Sequence, residues 1–351
     1  MKILFAGTPE PAAVTLEYLL DDPSHEVVAV LTQPDARRGR GRTVHPSKVA
    51  DVADTHGVPV HKFTSLKPDA EDAADVRKVL SGYAADGVEA VAVVAYGQIL
   101  PADVLDIFRH GWINLHFSLL PRWRGAAPVQ AAIAAGDTTT GATTFRIVPA
   151  LDAGPTTGTV TEEIGLTDTA DDLLTRLTYA GRELLAETLT GLGTGEIVPE
   201  PQPEEGATYA AKITSADARV DWTRAAAEIQ RVTRAHTPAP GPWTMLDGER
   251  YKLGLLRHTE PGSAGTAGTA GTAGGAPESL APGELAATKD ALYVGTGDRE
   301  LQITRIQPPG KKMMDADAWV RGRSDLFDGN GSDGNSDTAV FETADTTQGD
   351  K

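Results

Sequence analysis

The chain has 351 residues, 40% hydrophobic and 23% charged, and no cysteine. That length and composition predict two domains with real cores; they exclude wholesale disorder, a disulfide framework, a thiolate metal site and a cysteine nucleophile. The formal net charge of −17 argues against a nucleic-acid partner unless positive charge is gathered locally.

No run approaches the ~18 apolar residues of a membrane helix. The opening is not a signal peptide, because a Gly-Thr-Pro turn interrupts its short apolar stretch. A cytoplasmic protein without a membrane partner is the expectation. Residues 2–6 form an apolar run without clean alternation, as a strand buried on both faces requires. Residues 11–20 read as a helix with proline in its first turn, and 26–31 as a second buried strand. A basic segment follows, with Arg37, Arg38, Arg40 and Arg42 interleaved with Gly39 and Gly41. Clustered arginines suit phosphates and glycines let a loop reshape, although composition alone equally allows a solvated surface loop. Helical patterns at 46–56, 70–80 and 127–135 interleave with strand candidates at 58–60, 90–94 and 112–115. That alternation predicts an α/β, Rossmann-like domain with a mostly parallel sheet.

Asn114 and His116 lie two apart in a predicted strand, so their side chains share a face. At the carboxyl end of a strand they would enter the crevice where open α/β sheets bind ligands. An amide can stabilise charge developing on a carbonyl oxygen, and an imidazole can exchange a proton near neutral pH. Spacing alone equally permits a polar cap on the strand end. Asp152, before Ala153 and Gly154, reads by itself as a turn residue. No His-x-x-x-His spacing occurs, and no metal is expected.

Residues 171–189 repeat Leu173, Leu177, Ala180, Leu184 and Thr188 on one face, predicting a long amphipathic helix. Residues 191–206 are rich in Gly, Pro and Glu and read as a linker. Short apolar runs at 219–222, 243–246, 251–255, 291–294 and 301–306 predict a small β-barrel. Residues 262–276 are a low-complexity Ala-Gly-Thr insert. Residues 325–351 carry seven acids and one base and are expected to be disordered and dispensable.

The run Asn114-x-His116-x-Ser118-Leu119-Leu120-Pro121-x-x-Arg124-Gly125-x-x-Pro128, followed by Asp152, resembles the formyltransferases that use 10-formyltetrahydrofolate, in particular those acting on methionyl-tRNA. The resemblance extends to residues 5–9, to Thr32-Gln33-Pro34-Asp35 with the basic loop, to residues 94–101, to 208–213 and to Val220-Asp221-Trp222. Residue 155 is proline where that family usually continues with an acid.

The resemblance implies a formyl-transfer domain over 1–190, a linker at 191–206 and an OB-like barrel over 207–323 that binds tRNA. A disordered acidic tail would occupy 324–351. It places Asn114, His116 and Asp152 in catalytic positions and Ser118, Leu119, Leu120 and Pro121 in the folate segment. The implied co-substrate is 10-formyltetrahydrofolate, without a metal. The implied partner is initiator methionyl-tRNA, contacted by Arg37, Arg38, Arg40 and Arg42, with no obligate protein partner and a monomer expected.

Overall fold

A computed structural model of the chain describes residues 1–38, 43–258, 279–288, 290–327 and 339–343. The chain forms two compact bodies. The first comprises Met1–Val129, Thr138–Ile164 and Asp172–Ala211; the remaining residues group with the second. Among the described residues, no helix is long and apolar enough to cross a membrane.

In chain order the first part holds β1 (Lys2–Gly7), α1 (Glu10–Asp21), β2 (Glu26–Leu31), β3 (Ala36–Arg38), β4 (Thr43–His45), α2 (Lys48–Thr55), β5 (Val60–His61) and α3 (Ala73–Ala85). β6 (Ala90–Val94), α4 (Ala102–Leu105), β7 (Gly111–His116), β8 (Arg124–Gly125), α5 (Pro128–Ala135), β9 (Thr139–Arg146), β10 (Thr156–Glu163), α6 (Ala170–Thr194) and β11 (Tyr209–Ala210) follow. Seven strands form one sheet in the order β10-β9-β7-β6-β1-β2-β5. β7, β6, β1, β2 and β5 run parallel, as expected; the apolar side chains of β7, β6 and β1 are buried, and those of β2 are buried except the half-buried Val28.

The antiparallel edge, β9 with β10, carries no strand signal in the sequence. Both strands are rich in Thr and Gly, so they lack the apolar run that marks a buried strand. The buried Thr143 and Thr144 are instead satisfied by hydrogen bonds from or to their hydroxyls. The long helix α6 buries Leu173, Leu177, Leu185, Leu189 and Leu192. Its buried row therefore passes through Gly181 and Leu185 rather than the expected Ala180 and Leu184. Residues 191–206 are not a free linker, since the chain as far as Ala211 belongs to the first body.

The second body contains α7 (Ala226–Ala235), β12 (Trp243–Leu246), β13 (Glu249–Leu253), β14 (Leu256–His258), β15 (Leu285–Ala287), β16 (Leu292–Gly295), β17 (Glu300–Ile303), β18 (Arg305–Gln307), β19 (Met314–Asp315) and α8 (Ala316–Arg321). Two four-stranded sheets, β12-β13-β18-β19 and β14-β17-β16-β15, carry the small β-domain expected there. The run at 301–306 divides at Thr304 between the two sheets. Residues 219–222 form no strand; Arg219 makes only a bridge to Trp243. The insert at 262–276 falls between β14 and β15 in the chain and lies outside the described residues.

The expectation of a wholly disordered tail is overturned at residues 339–343. The Leu285 N–H donates to the Ala339 carbonyl at 2.9 Å, and the Phe341 N–H to Gly283 at 2.8 Å. Phe341 is fully buried, stacked on the buried Trp222 with ring centroids 5.5 Å apart. A composition average over an acidic tail hides one aromatic that repays the ordering of a few residues. Phe341→Ala should cost about 3–5 kcal/mol, as large-to-small changes at buried aromatics do. Ending the chain at Phe327 should lower the melting temperature by several degrees, measured by scanning calorimetry. An unchanged melting point for both would disprove the docking.

Candidate active site

β1 lies between β2 and β6, and strand order runs outward from it in both directions. The carboxyl ends of β1, β6 and β7 therefore border the crevice where such sheets bind ligands. β7 delivers Asn114 and His116 there. Asn114 is half-buried, and His116 is buried among the sheet's side chains with its ring edge-on to Phe145.

His116 donates its Nε2–H to the Trp123 carbonyl at 2.9 Å. A carbonyl can only accept, so this bond fixes the proton on Nε2 and leaves Nδ1 for chemistry. Nδ1 faces Asp152 Oδ2 at 3.9 Å. Asp152 therefore acts on the imidazole as a nearby charge, and the Trp123 carbonyl orients it. Burial pushes the His116 pKa below its ordinary value; the Asp152 charge and the Trp123 carbonyl pull it back up.

Asp152 itself is held in an unusual turn, with a backbone φ of 46°. Its Oδ2 accepts the Gly125 N–H at 2.7 Å. A Cβ on Gly125 would collide with the Ala210 carbonyl oxygen, and one on Gly154 with the Arg146 carbonyl oxygen. These two glycines let three backbone segments close around the carboxylate. Pro155 accepts the Arg146 N–H at 2.9 Å, so the proline fits the loop as built.

The folate segment expected at Ser118, Leu119, Leu120 and Pro121 lies directly beyond β7. The Ser118 hydroxyl is buried and donates to the Arg122 carbonyl at 2.7 Å. Thr143 Oγ1 donates to the Ser118 carbonyl at 2.7 Å and accepts the Leu120 N–H at 3.2 Å. Ser118 thus shapes this loop, and Leu119, Leu120 and Pro121 are its half-buried face. The turn after β6 is braced comparably. Gln33 Nε2 donates to the Tyr96 and Gly97 carbonyls at 3.2 and 3.0 Å, and Thr8 Oγ1 donates to the Tyr96 carbonyl at 3.0 Å.

Asn114, His116, Asp152 and the Ser118–Pro121 loop are therefore brought together in the first body. Sequence reasoning missed the Trp123 carbonyl and the Gly125 N–H, because backbone groups leave no residue signature, and Thr143, because its hydroxyl sits on a strand that itself carried no signal. Of the arginines, Arg37 is exposed on β3, which pairs with β4 as a hairpin. Arg38 belongs to the same strand, whereas Arg40 and Arg42 lie outside the described residues. In the second body a cleft of about 360 Å³ is lined by Ser215, Pro240, Arg250, Lys252, Gln307 and Pro308. Arg250 lies over the Trp243 ring at 3.9 Å. No basic run marks this cleft in the sequence, because β13 sets its two cations on one face.

The formyl transferase family model matches residues 1–189, and the formyl transferase C-terminal domain model matches 212–324. The chain belongs to the formyl transferase family. It is 57% identical over 329 residues to the methionyl-tRNA formyltransferase of Corynebacterium jeikeium, covering 94% of this chain and 97% of the relative. The methionyl-tRNA formyltransferase of Mycobacterium bovis is 48% identical over 327 residues, covering 93% of this chain and 98% of the relative. The fold is similar to that of the N-formyltransferase from Helicobacter canadensis in complex with folinic acid and dTDP-3-aminofucose. There the TM-score is 0.60 at 15% identity, covering 86% of this chain and 98% of the other.

Replacing Asp152 by Asn removes the charge that favours the imidazolium. The His116 proton is then lost at lower pH. The limb of the kcat/KM profile that reports protonated His116 should move to lower pH in Asp152→Asn. A limb at its original position would assign it to another group.

Proposed function

We infer that the chain transfers the formyl group of 10-formyltetrahydrofolate to the α-amine of methionyl initiator tRNA, giving N-formylmethionyl-tRNA for translation initiation. The observation that carries this reading is the meeting of His116 Nδ1 and Asp152 Oδ2, from separate segments, at the carboxyl end of β7 beside the Ser118–Pro121 loop. The names of the relatives specify the acceptor.

The nucleophile is the substrate's own amine, so no enzyme serine or cysteine is needed. The amine nitrogen bonds to the formyl carbon, and the carbonyl oxygen becomes an oxyanion. The Asn114 amide and the His116 Nδ1–H donate to that oxygen. The bond from the formyl carbon to folate N10 then breaks. Its electron pair stays on N10, which takes the proton from His116 Nδ1. The amine gives up one proton, accepted by Asp152 directly or through one water. Transfer of that proton from Asp152 to Nδ1 restores the starting state. Burial makes the imidazolium a stronger acid than free histidine, which suits it to proton donation.

Leu119, Leu120 and Pro121, with the turn at 96–101, are assigned to the folate. Arg37, Arg38, Arg40 and Arg42 are assigned to the tRNA, and the cleft at Arg250 and Lys252 is a second basic surface for it. An aminoacylated tRNA as substrate supports a cytoplasmic enzyme, and the reaction needs one copy of the chain.

Incubation with 10-formyltetrahydrofolate and charged initiator tRNA should yield N-formylmethionine. Formylation of a small amine in its place would overturn the acceptor assignment. His116→Ala and Asn114→Ala should fold normally and each slow transfer by at least ~100-fold. Near-normal turnover of His116→Ala would remove it from the mechanism. Changing the four loop arginines to alanine should make the salt slope of tRNA binding shallower by roughly 0.7–0.9 per lost phosphate contact, with folate binding unchanged. Weakened folate binding with unchanged tRNA binding would reverse that assignment.

A further inference from the structure

Gln202 lies in the Gly-, Pro- and Glu-rich stretch that reads as a linker, yet its side chain is half-buried and its amide is fully used. Its Nε2 donates to the Asp152 carbonyl at 2.9 Å and to the Gly154 carbonyl at 2.7 Å. Its Oε1 accepts from Arg124 Nη2 at 2.8 Å and from Arg124 Nε at 3.2 Å. A primary amide has two N–H donors and an oxygen with two lone pairs, so all four positions are occupied.

The geometry of its partners gives these bonds meaning. Asp152 is a non-glycine residue with φ 46°, a left-handed conformation that persists only where surrounding structure holds it. The two amide N–H groups grip that turn at its first and third carbonyls. On the other side, Arg124 precedes Gly125, whose N–H binds the Asp152 carboxylate at 2.7 Å. One side chain therefore grips the backbone that bears the carboxylate and, through the Arg124 guanidinium, the residue next to the N–H that orients it. Gln202 is itself held on both sides. Glu200 exchanges two backbone hydrogen bonds with Thr156 at 2.7 and 2.8 Å, and the Thr208 carbonyl accepts the Arg124 N–H at 2.8 Å.

We propose that Gln202 is a positioning residue for Asp152, clamping the left-handed turn so that the carboxylate stays in place beside His116. This rests on the catalytic reading of Asp152. It assigns a role in the chemical step to a segment that composition marks as a passive connection. A neighbouring role in substrate binding is not part of it, because all four hydrogen-bonding positions of the amide are occupied within the protein.

Two variants separate the functions of the amide. Gln202→Glu keeps an oxygen for Arg124, as an ion pair, and removes both N–H donors; Gln202→Met removes all four bonds. Each should lower kcat by about 10–100-fold, the scale of a misplaced catalytic group, while KM for both substrates stays within about twofold. The decisive measurement repeats Gln202→Glu in the Asp152→Asn background. There the substitution should cost less than about twofold, because the group it positions is gone. Normal kcat in both single variants would overturn the proposal. So would an undiminished loss in the Asp152→Asn background, or a melting temperature lowered by several degrees in both variants with KM and kcat changed together. If Asp152→Asn alone turns over normally, the catalytic reading fails first, and the outcome is distinguishable from failure of the clamp.

Discussion

The bond from His116 Nε2–H to the Trp123 carbonyl is the contact on which the site depends. It decides which ring nitrogen is available, and that choice decides where Asp152 must stand. An imidazole buried in the sheet would by default be neutral and free to exchange tautomers. Here the carbonyl acceptor pins one tautomer, and the carboxylate at 3.9 Å favours a proton on the other nitrogen without neutralising it through a short hydrogen bond. A charge at that distance stabilises the cation less than a tight pair does, and a proton that must be given away should not be held too firmly.

The Trp123 carbonyl can do this only because the chain leaves β7 in a compact loop. Trp123 has φ 62°, and its N–H donates to Thr208 Oγ1 at 2.9 Å. Upstream, the Ser118 hydroxyl and Thr143 cross-link the first residues of the same loop. The segment assigned to folate and the group that orients the His116 imidazole are thus successive parts of one hydrogen-bonded loop. Gly125 ends it with the N–H that holds Asp152. The proposed folate contact and the proposed proton transfer therefore share a scaffold, so a change in the loop's packing should be felt by both.

What was legible in the sequence divides along physical lines. Buried parallel strands announce themselves as apolar runs, and 26–31 and 90–94 coincide with β2 and β6. Asn114 and His116 are placed by period-two spacing, and their shared face follows from that spacing alone. Asp152 is not, because a turn residue gains meaning only from the segment folded against it. β9 and β10 escaped because threonine hydroxyls satisfied by one another replace an apolar signal. Gln202 and Phe341 escaped for a common reason. Each is a single residue in a polar stretch, and averages over a window dilute one decisive side chain. Helix α7 was also missed: its buried face is formed by Ala226, Ile229, Thr233 and Ala235, with isoleucine its one large aliphatic side chain, so the run as a whole reads as polar.

Net charge was the observation most at odds with a tRNA substrate, and screening resolves it. At physiological salt, exposed charges act over a Debye length of about 8 Å. The seven acids of residues 325–351 count toward that total, which is not the quantity a bound phosphate responds to. What a phosphate meets is local. The β3–β4 hairpin presents Arg37, and its root is tied down by the Lys62–Asp35 ion pair at 2.7 Å. Gln33, just before that root, also braces the turn after β6 through the Tyr96 and Gly97 carbonyls. The arginine hairpin and the turn assigned to folate are thereby fastened to a common point. An acidic protein can hold a polyanion this way, with cations gathered locally on a braced hairpin rather than spread over its surface.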